Sequence, residues 1–153
     1  MRKNWIVVDL DGTLCDHSHR IHHAVNRDYE TYHGELGKDE LHLHIRMIVK
    51  GFLNLDPENN ALLLTGRNEA WRTQTLHWLD LKNVAHFFDH LLMRSDKNWE
   101  PDHELKLRML LDYFGGHFGA QESVAFILED RDKVVRAFRD MGFKCLQVAQ
   151  GDF

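Results

Sequence analysis

Short apolar runs alternate along this chain with longer segments whose apolar residues recur every three or four positions. The runs at Trp5–Val8 and Ala61–Thr65 are the clearest, and unbroken apolar runs of this length are typical of strands buried on both faces. The same pattern predicts three further strands, at Leu91–Met93, Val124–Leu128 and Lys144–Val148.

The segments between these runs have the spacing of helices. Apolar residues at positions 41, 45, 48, 52 and 55 predict a helix over Lys38–Leu55. Asn68 is placed to cap a second helix that continues to about residue 80. Asp102 is placed to cap a third helix, which is predicted to stop at Gly115, and a fourth helix is predicted to end at Gly142.

Strands that alternate with helices predict an α/β fold, in which about five parallel strands are joined by right-handed crossovers and flanked by helices. A length of 153 residues suits one core, so we expect a single domain over residues 1–153. The polar segment 15–37 interrupts the alternation, and we expect it to form a small cap or lid.

That polar segment contains five histidines, a residue type that often binds zinc. They are His17, His19, His22, His23 and His33. Their spacing matches no usual set of zinc ligands, and the cysteine partners of such sites are missing. We therefore favour a solvated insert that lies over a site, with metal ligation as the alternative.

Composition and charge limit the classes of function. The formal net charge of −5 provides no overall basic field for long nucleic acid, although a strand end could still be recognised locally. No apolar run approaches the ~18–20 residues of a membrane span, and no signal peptide precedes the first strand. Cys15 and Cys145 fit free thiols in a reducing compartment, which predicts a cytoplasmic protein with no membrane partner.

The first strand ends in two acids, Asp9 and Asp11, and Gly12 then permits a tight turn. An Asp-Gly pair is also common in β-hairpins, but the polar residues after Leu14 do not form the alternating partner strand that a hairpin needs. In open α/β sheets, ligands bind just beyond the carboxyl ends of the strands. We therefore interpret the two carboxylates as part of a site.

Two other strands and one helix bring related chemistry to the same edge of the predicted sheet. The residues concerned are Thr65 and Arg67, Glu129 and Asp130, and Asp102 and Lys106. Neighbouring acids repel one another, and a hard cation such as Mg²⁺ would hold them through carboxylate oxygens. The cationic side chains then suit a phosphate dianion, which an aspartate can attack as a nucleophile.

Four segments resemble the motifs of the haloacid dehalogenase (HAD) superfamily of phosphohydrolases: Asp9–Leu14, Leu64–Arg67, Lys106 and Glu129–Asp130. The resemblance covers nearly the whole chain. It implies a HAD-type, Rossmann-like fold and hydrolysis through an aspartyl-phosphate intermediate.

The same resemblance implies a role for each matching residue. Asp9 would be the nucleophile and Asp11 the general acid and base, while Thr65 and Lys106 would stabilise the phosphoryl group. Mg²⁺ would be bound by Asp9, the backbone carbonyl of Asp11, and Asp130. Glu129 stands where aspartate is commoner, so both direct ligation and support of the other ligands stay open.

A narrower resemblance lies in Glu129–Val135 and Gly142–Phe153, which are similar to the 3′-phosphatase domain of bacteriophage polynucleotide kinase/phosphatase. It implies that Arg20 reaches the substrate from the insert and that Arg67, with Gly66 beside it, holds the phosphate or orients an acid. Asp102 would fix Arg67 or Lys106, or would simply cap its helix.

The chain lacks the Gly-x-x-x-x-Gly-Lys-[Ser/Thr] loop of a kinase, so we expect a stand-alone phosphatase, with a separate kinase or ligase as a candidate partner. The favoured hypothesis is a Mg²⁺-dependent phosphomonoesterase that removes 3′-phosphate from DNA or RNA ends, because a small cap leaves the site open to a polymer. A nucleotidase or general small-molecule phosphatase is the alternative. A second alternative is a non-catalytic module that binds nucleic-acid ends or protein, although such a module has no need for the pair Asp9 and Asp11.

Overall fold

A computed structural model describes residues 2–152 of the chain. Its main strands are β1 (Trp5–Val8), β4 (Asn60–Asn68), β5 (His90–Arg94), β6 (Val124–Glu129) and β7 (Cys145–Gln147). They form one sheet in the order β5-β4-β1-β6-β7, and every neighbouring pair is parallel. The predicted α/β fold and its five strands are confirmed; β1 has the predicted ends, and the ends of the other strands differ from the prediction by at most three residues.

The remaining elements of residues 2–152 are seven α-helices, three 3₁₀ turns and a second, two-stranded sheet. The helices are α1 (Ile21–Val25), α2 (Tyr29–Gly34), α3 (Leu43–Leu55), α4 (Arg72–Leu81), α5 (Asp102–Tyr113), α6 (His117–Ser123) and α7 (Asp132–Asp140). The small antiparallel sheet pairs β2 (Cys15–Asp16) with β3 (Glu40–Leu41). Among the helices of residues 2–152, none is long and apolar enough to span a membrane.

The helices cover both faces of the five-stranded sheet. On one face, residues of α3 and α4 pack with Ile6 and Val8 of β1. On the other face, residues of α5, α6 and α7 pack with Val7. Because successive strand residues point to opposite faces, a central strand covered on both sides must be apolar throughout, and β1 is. Its carboxyl end therefore carries the first polar groups of the strand to the edge of the sheet.

Two helix predictions need correction. Helix α3 begins at Leu43 rather than Lys38, because a 3₁₀ turn at Leu36–Lys38 is followed by the extended residues of β3. Leu41 fits the helical spacing because it packs against the same core from that strand. The third predicted helix has Pro101, not Asp102, at its N-cap position, and the Asp102 carboxylate makes no capping hydrogen bond.

Helix α6 was missed by the sequence pattern. Gly115 and Gly116 have left-handed backbone angles, φ 72° and 112°, so they end α5 as expected, but the chain then forms another helix immediately. Ala120 is the one buried residue of this helix, which leaves no apolar periodicity to detect.

The prediction of a solvated histidine-rich insert is also wrong in part. The insert contains α1 and α2 and buries Arg20, Tyr32 and Leu36 almost completely. His17 lies in this packed region, where its Nδ1 is 2.8 Å from the Tyr32 hydroxyl. The helices have five and six residues, too short for a period to be read, and the buried Arg20 is polar, so the segment resembled a loop.

Candidate active site

The carboxyl ends of β1, β4 and β6 and the first turns of α5 surround one cavity of about 830 Å³. Its floor contains nearly all of the sequence-predicted site residues: Asp9, Asp11, Thr65, Gly66, Arg67, Asp102, Lys106, Glu129 and Asp130. Arg20 is the exception, since it does not line the cavity. The parallel sheet thus brings together side chains that are up to 121 positions apart in the sequence, from Asp9 to Asp130.

Lys106 lies at the centre of this floor. Its Nζ donates hydrogen bonds to Asp9 Oδ1 (2.6 Å) and Glu129 Oε2 (2.8 Å), and it lies 3.5 Å from Asp102 Oδ2. Burial lowers the pKa of Lys106, but the three carboxylates outweigh burial and hold that pKa well above its usual value. The side chain is therefore a permanent buried cation beside Asp9.

Three acids, Asp9, Glu129 and Asp130, offer oxygen atoms that all lie within 4.8 Å of one another. Burial, and then repulsion by Glu129, raises the pKa of Asp9 to about 7. Burial is also the main cause that raises the pKa of Glu129 and of Asp130 to about 7. Asp9 Oδ2 and Asp130 Oδ1 are buried without a hydrogen-bond partner among the described residues. Crowded carboxylates with unpaired oxygens fit a hard divalent cation.

Gly12 makes this cluster possible. Its φ of 86° is left-handed, and a Cβ atom at this position would overlap the Asp130 carboxylate. A glycine is therefore needed both for the turn after β1 and for the close approach of Asp130.

Asp11 has the opposite electrostatic environment from Asp9. Arg67 donates to it from Nε (2.9 Å) and Nη2 (2.7 Å), and Arg20 adds a third hydrogen bond from Nη2 (2.5 Å). Burial opposes the charged form of Asp11, but the two guanidinium groups outweigh burial and hold its pKa well below the ordinary value. Asp11 is therefore ionised in this arrangement.

Asp39 completes this second network, although no sequence motif points to it. The fully buried carboxylate accepts hydrogen bonds from Arg20 Nε (2.7 Å) and Nη2 (2.6 Å) and from Arg67 Nη2 (3.1 Å). Two buried arginines need more than one carboxylate, and this requirement is the signal that could have found it. The sequence pattern predicts Asp39 within a helix over residues 38–55, so it does not indicate that Asp39 lies beside Arg20 and Arg67.

The structure places Arg20 behind Asp11 rather than on the cavity wall. Its guanidinium is fully buried and is occupied by Asp39, Asp11 and the Tyr32 carbonyl, at 3.2 Å from Nη1. Its expected role, to reach the substrate, stays a prediction. Arg67 was expected either to hold the phosphate or to orient an acid, and its contact with an acid, Asp11, is observed.

Asp102 contacts Lys106 and two arginines, but it does not contact Arg67. Its carboxylate accepts from Arg94 Nη2 and Arg131 Nη1, each at 3.2 Å. A Cβ atom at Gly66 would overlap this carboxylate, so glycine is needed at the middle position of the Thr-Gly-Arg motif. Of the expected roles of Asp102, the contact with Lys106 is the one observed.

Two further residues line the cavity, Thr65 and Glu129. Thr65 can donate a hydrogen bond to a ligand, whereas Glu129 is held by neighbouring groups. Thr65 Oγ1 accepts from the backbone N–H of Arg67 at 3.2 Å, which leaves the hydroxyl hydrogen for another acceptor. Glu129 Oε1 accepts from the backbone N–H groups of Asp130 (3.2 Å) and Arg131 (3.1 Å), while its other oxygen binds Lys106. Both oxygens of Glu129 are therefore already in use.

The Asp39 network provides a stability test. Asp39→Asn removes one of the two carboxylate charges that compensate Arg20 and Arg67, and we expect the free energy of unfolding to fall by about 3–5 kcal/mol. Urea denaturation measures this change. Asp140→Asn, at an exposed position of α7, should change stability by less than about 0.5 kcal/mol. A variant at Asp39 as stable as this control would contradict the role of the network.

The chain is similar to one protein family and to several solved structures. The family model for the polynucleotide kinase PNKP phosphatase domain matches residues 3–153. Two similar solved structures are chains of Pnkp1/Rnl/Hen1 complexes, one of them described as an RNA repair complex, each with a TM-score of 0.79 and 28% identity. The matches cover 97% and 99% of this chain but only 43% and 48% of those chains, so this chain spans less than half of their length.

A more distant structure shows the fold. A haloacid dehalogenase-like hydrolase from Streptococcus pneumoniae has a TM-score of 0.67 and 16% identity, and the match covers 94% of this chain and 83% of that chain. No curated protein matches the chain.

Proposed function

The chain belongs to the family of polynucleotide kinase PNKP phosphatase domains, and from this premise we propose that it is a Mg²⁺-dependent phosphomonoesterase acting on nucleic-acid 3′-ends. The observation that carries the proposal is the buried Lys106 ammonium beside Asp9, next to three buried acids whose oxygen atoms lie within 4.8 Å of one another. A nucleophile, a fixed positive charge and a cation site within one cavity are what phosphoryl transfer to a carboxylate requires.

Asp9 and Asp130 are the proposed side-chain ligands of Mg²⁺, because each keeps a buried oxygen without a partner. The Asp11 backbone carbonyl would be a third ligand. Glu129 would support these ligands from behind, since Lys106 and two backbone N–H groups occupy its oxygens. When bound, the cation would neutralise charge on the phosphoryl oxygens.

In the proposed reaction, a carboxylate oxygen of Asp9 forms a bond to phosphorus while the bond to the 3′-oxygen breaks. Asp11 donates a proton to that departing oxygen. Water then attacks the phosphorus of the aspartyl-phosphate, Asp11 accepts the proton, and the Asp9 carboxylate is released with inorganic phosphate. Lys106 and Thr65 would stabilise the phosphoryl oxygens throughout.

The hydrogen bonds from Arg67 and Arg20 affect how Asp11 can donate the proton in this reaction. In the structure Asp11 is ionised by Arg67 and Arg20, a state suited to accept a proton from water. To donate a proton first, Asp11 must take up a proton from solvent and give up some of these hydrogen bonds when substrate binds. We propose that Arg20, Arg67 and Asp39 are positioning residues for this exchange.

A nucleic-acid end is favoured over a free metabolite for two reasons. Residues 15–37 contain two short helices between β2 and a 3₁₀ turn, and we propose that they act as a small cap within a single domain that leaves the mouth of the cavity open. Two similar chains assemble in Pnkp1/Rnl/Hen1 complexes, one of them described as an RNA repair complex, which also makes a kinase or ligase a proposed partner. A nucleotidase or general small-molecule phosphatase is the second candidate.

Asp9→Asn tests the nucleophile. The amide has the same shape but is a poor nucleophile, so we expect turnover to fall by roughly 10³-fold or more, with the fold retained by circular dichroism. Asp140→Asn serves as a control with wild-type turnover. Wild-type rates in Asp9→Asn would refute the assignment.

The metal site is tested by chelation and by stability. EDTA should abolish phosphate release and Mg²⁺ should restore it. A hundredfold excess of Mg²⁺ over its Kd should raise the thermal midpoint of the metal-free protein by about 5–10 °C. We expect little or no shift in Asp130→Asn. Full activity in excess EDTA, or equal shifts in both proteins, would contradict the site.

The substrate class is tested by comparing phosphate release from a 3′-phosphorylated oligonucleotide and from 3′- and 5′-mononucleotides. We expect a higher kcat/KM on the oligonucleotide, because the open cavity can contact more than the terminal phosphate. Equal or better rates on mononucleotides would favour a nucleotidase instead.

A further inference from the structure

Part of the cavity is apolar and has no role in the phosphoryl chemistry. Trp99 is 87% exposed, Val25 76% and Tyr29 54%, and all three line the same cavity as Asp9 and Lys106. Large apolar side chains exposed together beside a polar site mark a place where a ligand binds. A phosphate dianion makes no use of such a surface, so the surface is suited to the organic part of the substrate.

Trp99 belongs to a loop that is attached to the phosphoryl site. This loop, residues 95–101, joins β5 to α5, and Arg94 donates to the carbonyls of Glu100 (2.7 Å) and Asn98 (3.3 Å). The same guanidinium donates from Nε to the Gly66 carbonyl at 3.1 Å. The indole is therefore exposed on a loop whose backbone is connected to the Thr-Gly-Arg motif.

A positive side chain accompanies the indole. Lys97 lies two residues before Trp99, is exposed, and also lines the cavity. An aromatic ring beside a lysine at the mouth of a phosphoryl site combines a stacking surface with a charge for a phosphodiester. Single-stranded nucleic acids are bound by this combination in general.

We propose that Trp99 stacks on the base of the terminal nucleotide whose 3′-phosphate lies at Asp9, with Lys97 near the preceding phosphodiester. This inference rests on the proposed function and names the part of the substrate that the site recognises. Every nucleobase has a π face, so the stack selects ends that carry a base without selecting which base. The enzyme would then discriminate against abasic 3′-phosphate ends.

The test compares kcat/KM on two 3′-phosphorylated single-stranded oligonucleotides that differ only at the terminal residue. One carries a base there, and the other carries a stable tetrahydrofuran abasic analogue. We expect the wild type to prefer the base-bearing end by roughly 5- to 100-fold, the effect of one base stack. Trp99→Ala should reduce this preference towards one, and Trp99→Phe should retain most of it.

Phe118→Ala is the matched control, because Phe118 is a similarly exposed aromatic residue (75%) on α6 that does not line the cavity. It should keep the wild-type preference. An unchanged preference in Trp99→Ala, or an equal loss on both oligonucleotides, would overturn the stacking role while the 3′-phosphatase function stands. Absence of phosphate release from both oligonucleotides by the wild type would instead overturn the proposed function and this inference with it.

Discussion

The buried ammonium of Lys106 is the interaction on which the site depends. It connects Asp9 at the end of β1 with Glu129 at the end of β6, and it lies beside Asp102 in the first turn of the same helix, α5. A buried charge is stable only when it is paired and hydrogen-bonded, so this lysine fixes the relative positions of two strands and a helix. One lysine does not balance the acids around it. The proposed Mg²⁺ would supply the missing positive charge at the carboxyl edge of the sheet, and the charge balance of this edge is therefore linked to the proposed chemistry.

A second charge network separates the properties of two aspartates that are only two residues apart. Burial and neighbouring acids raise the pKa of Asp9, whereas Arg67 and Arg20 hold the pKa of Asp11 low. Pairs of acids with such different environments are typical of sites where one acid forms a bond and the other moves a proton. The insert contributes to this difference through Arg20, and Asp39 lies just beyond it. The insert, residues 15–37, therefore supports the proposed acid–base residue Asp11 and also lines the cavity.

The sequence predicted the sheet and the convergence of these polar side chains at its carboxyl edge, for a physical reason. Strands buried on both faces must be apolar, and their carboxyl ends meet at one edge, so the groups after β1, β4 and β6 could be placed together without coordinates. Asp39, α6 and the burial of Arg20 were not predicted. The contacts of Asp39 depend on ion pairs over 19 and 28 positions, and α6 buries one alanine, so neither leaves a local pattern. An isolated tryptophan in a polar loop has no periodic pattern, so the sequence does not indicate a role for Trp99, and the cavity lining shows which residues surround it.

In the proposed mechanism, the Asp9 carboxylate held by Lys106 receives the phosphoryl group. Acid quenching during turnover, followed by peptide mass spectrometry, tests this claim most directly. We expect a transient phosphate on the peptide that contains Asp9, present with Mg²⁺ and substrate and lost on longer incubation. Turnover at a normal rate with no phosphorylated peptide, or with the phosphate on a different residue, would contradict the claim.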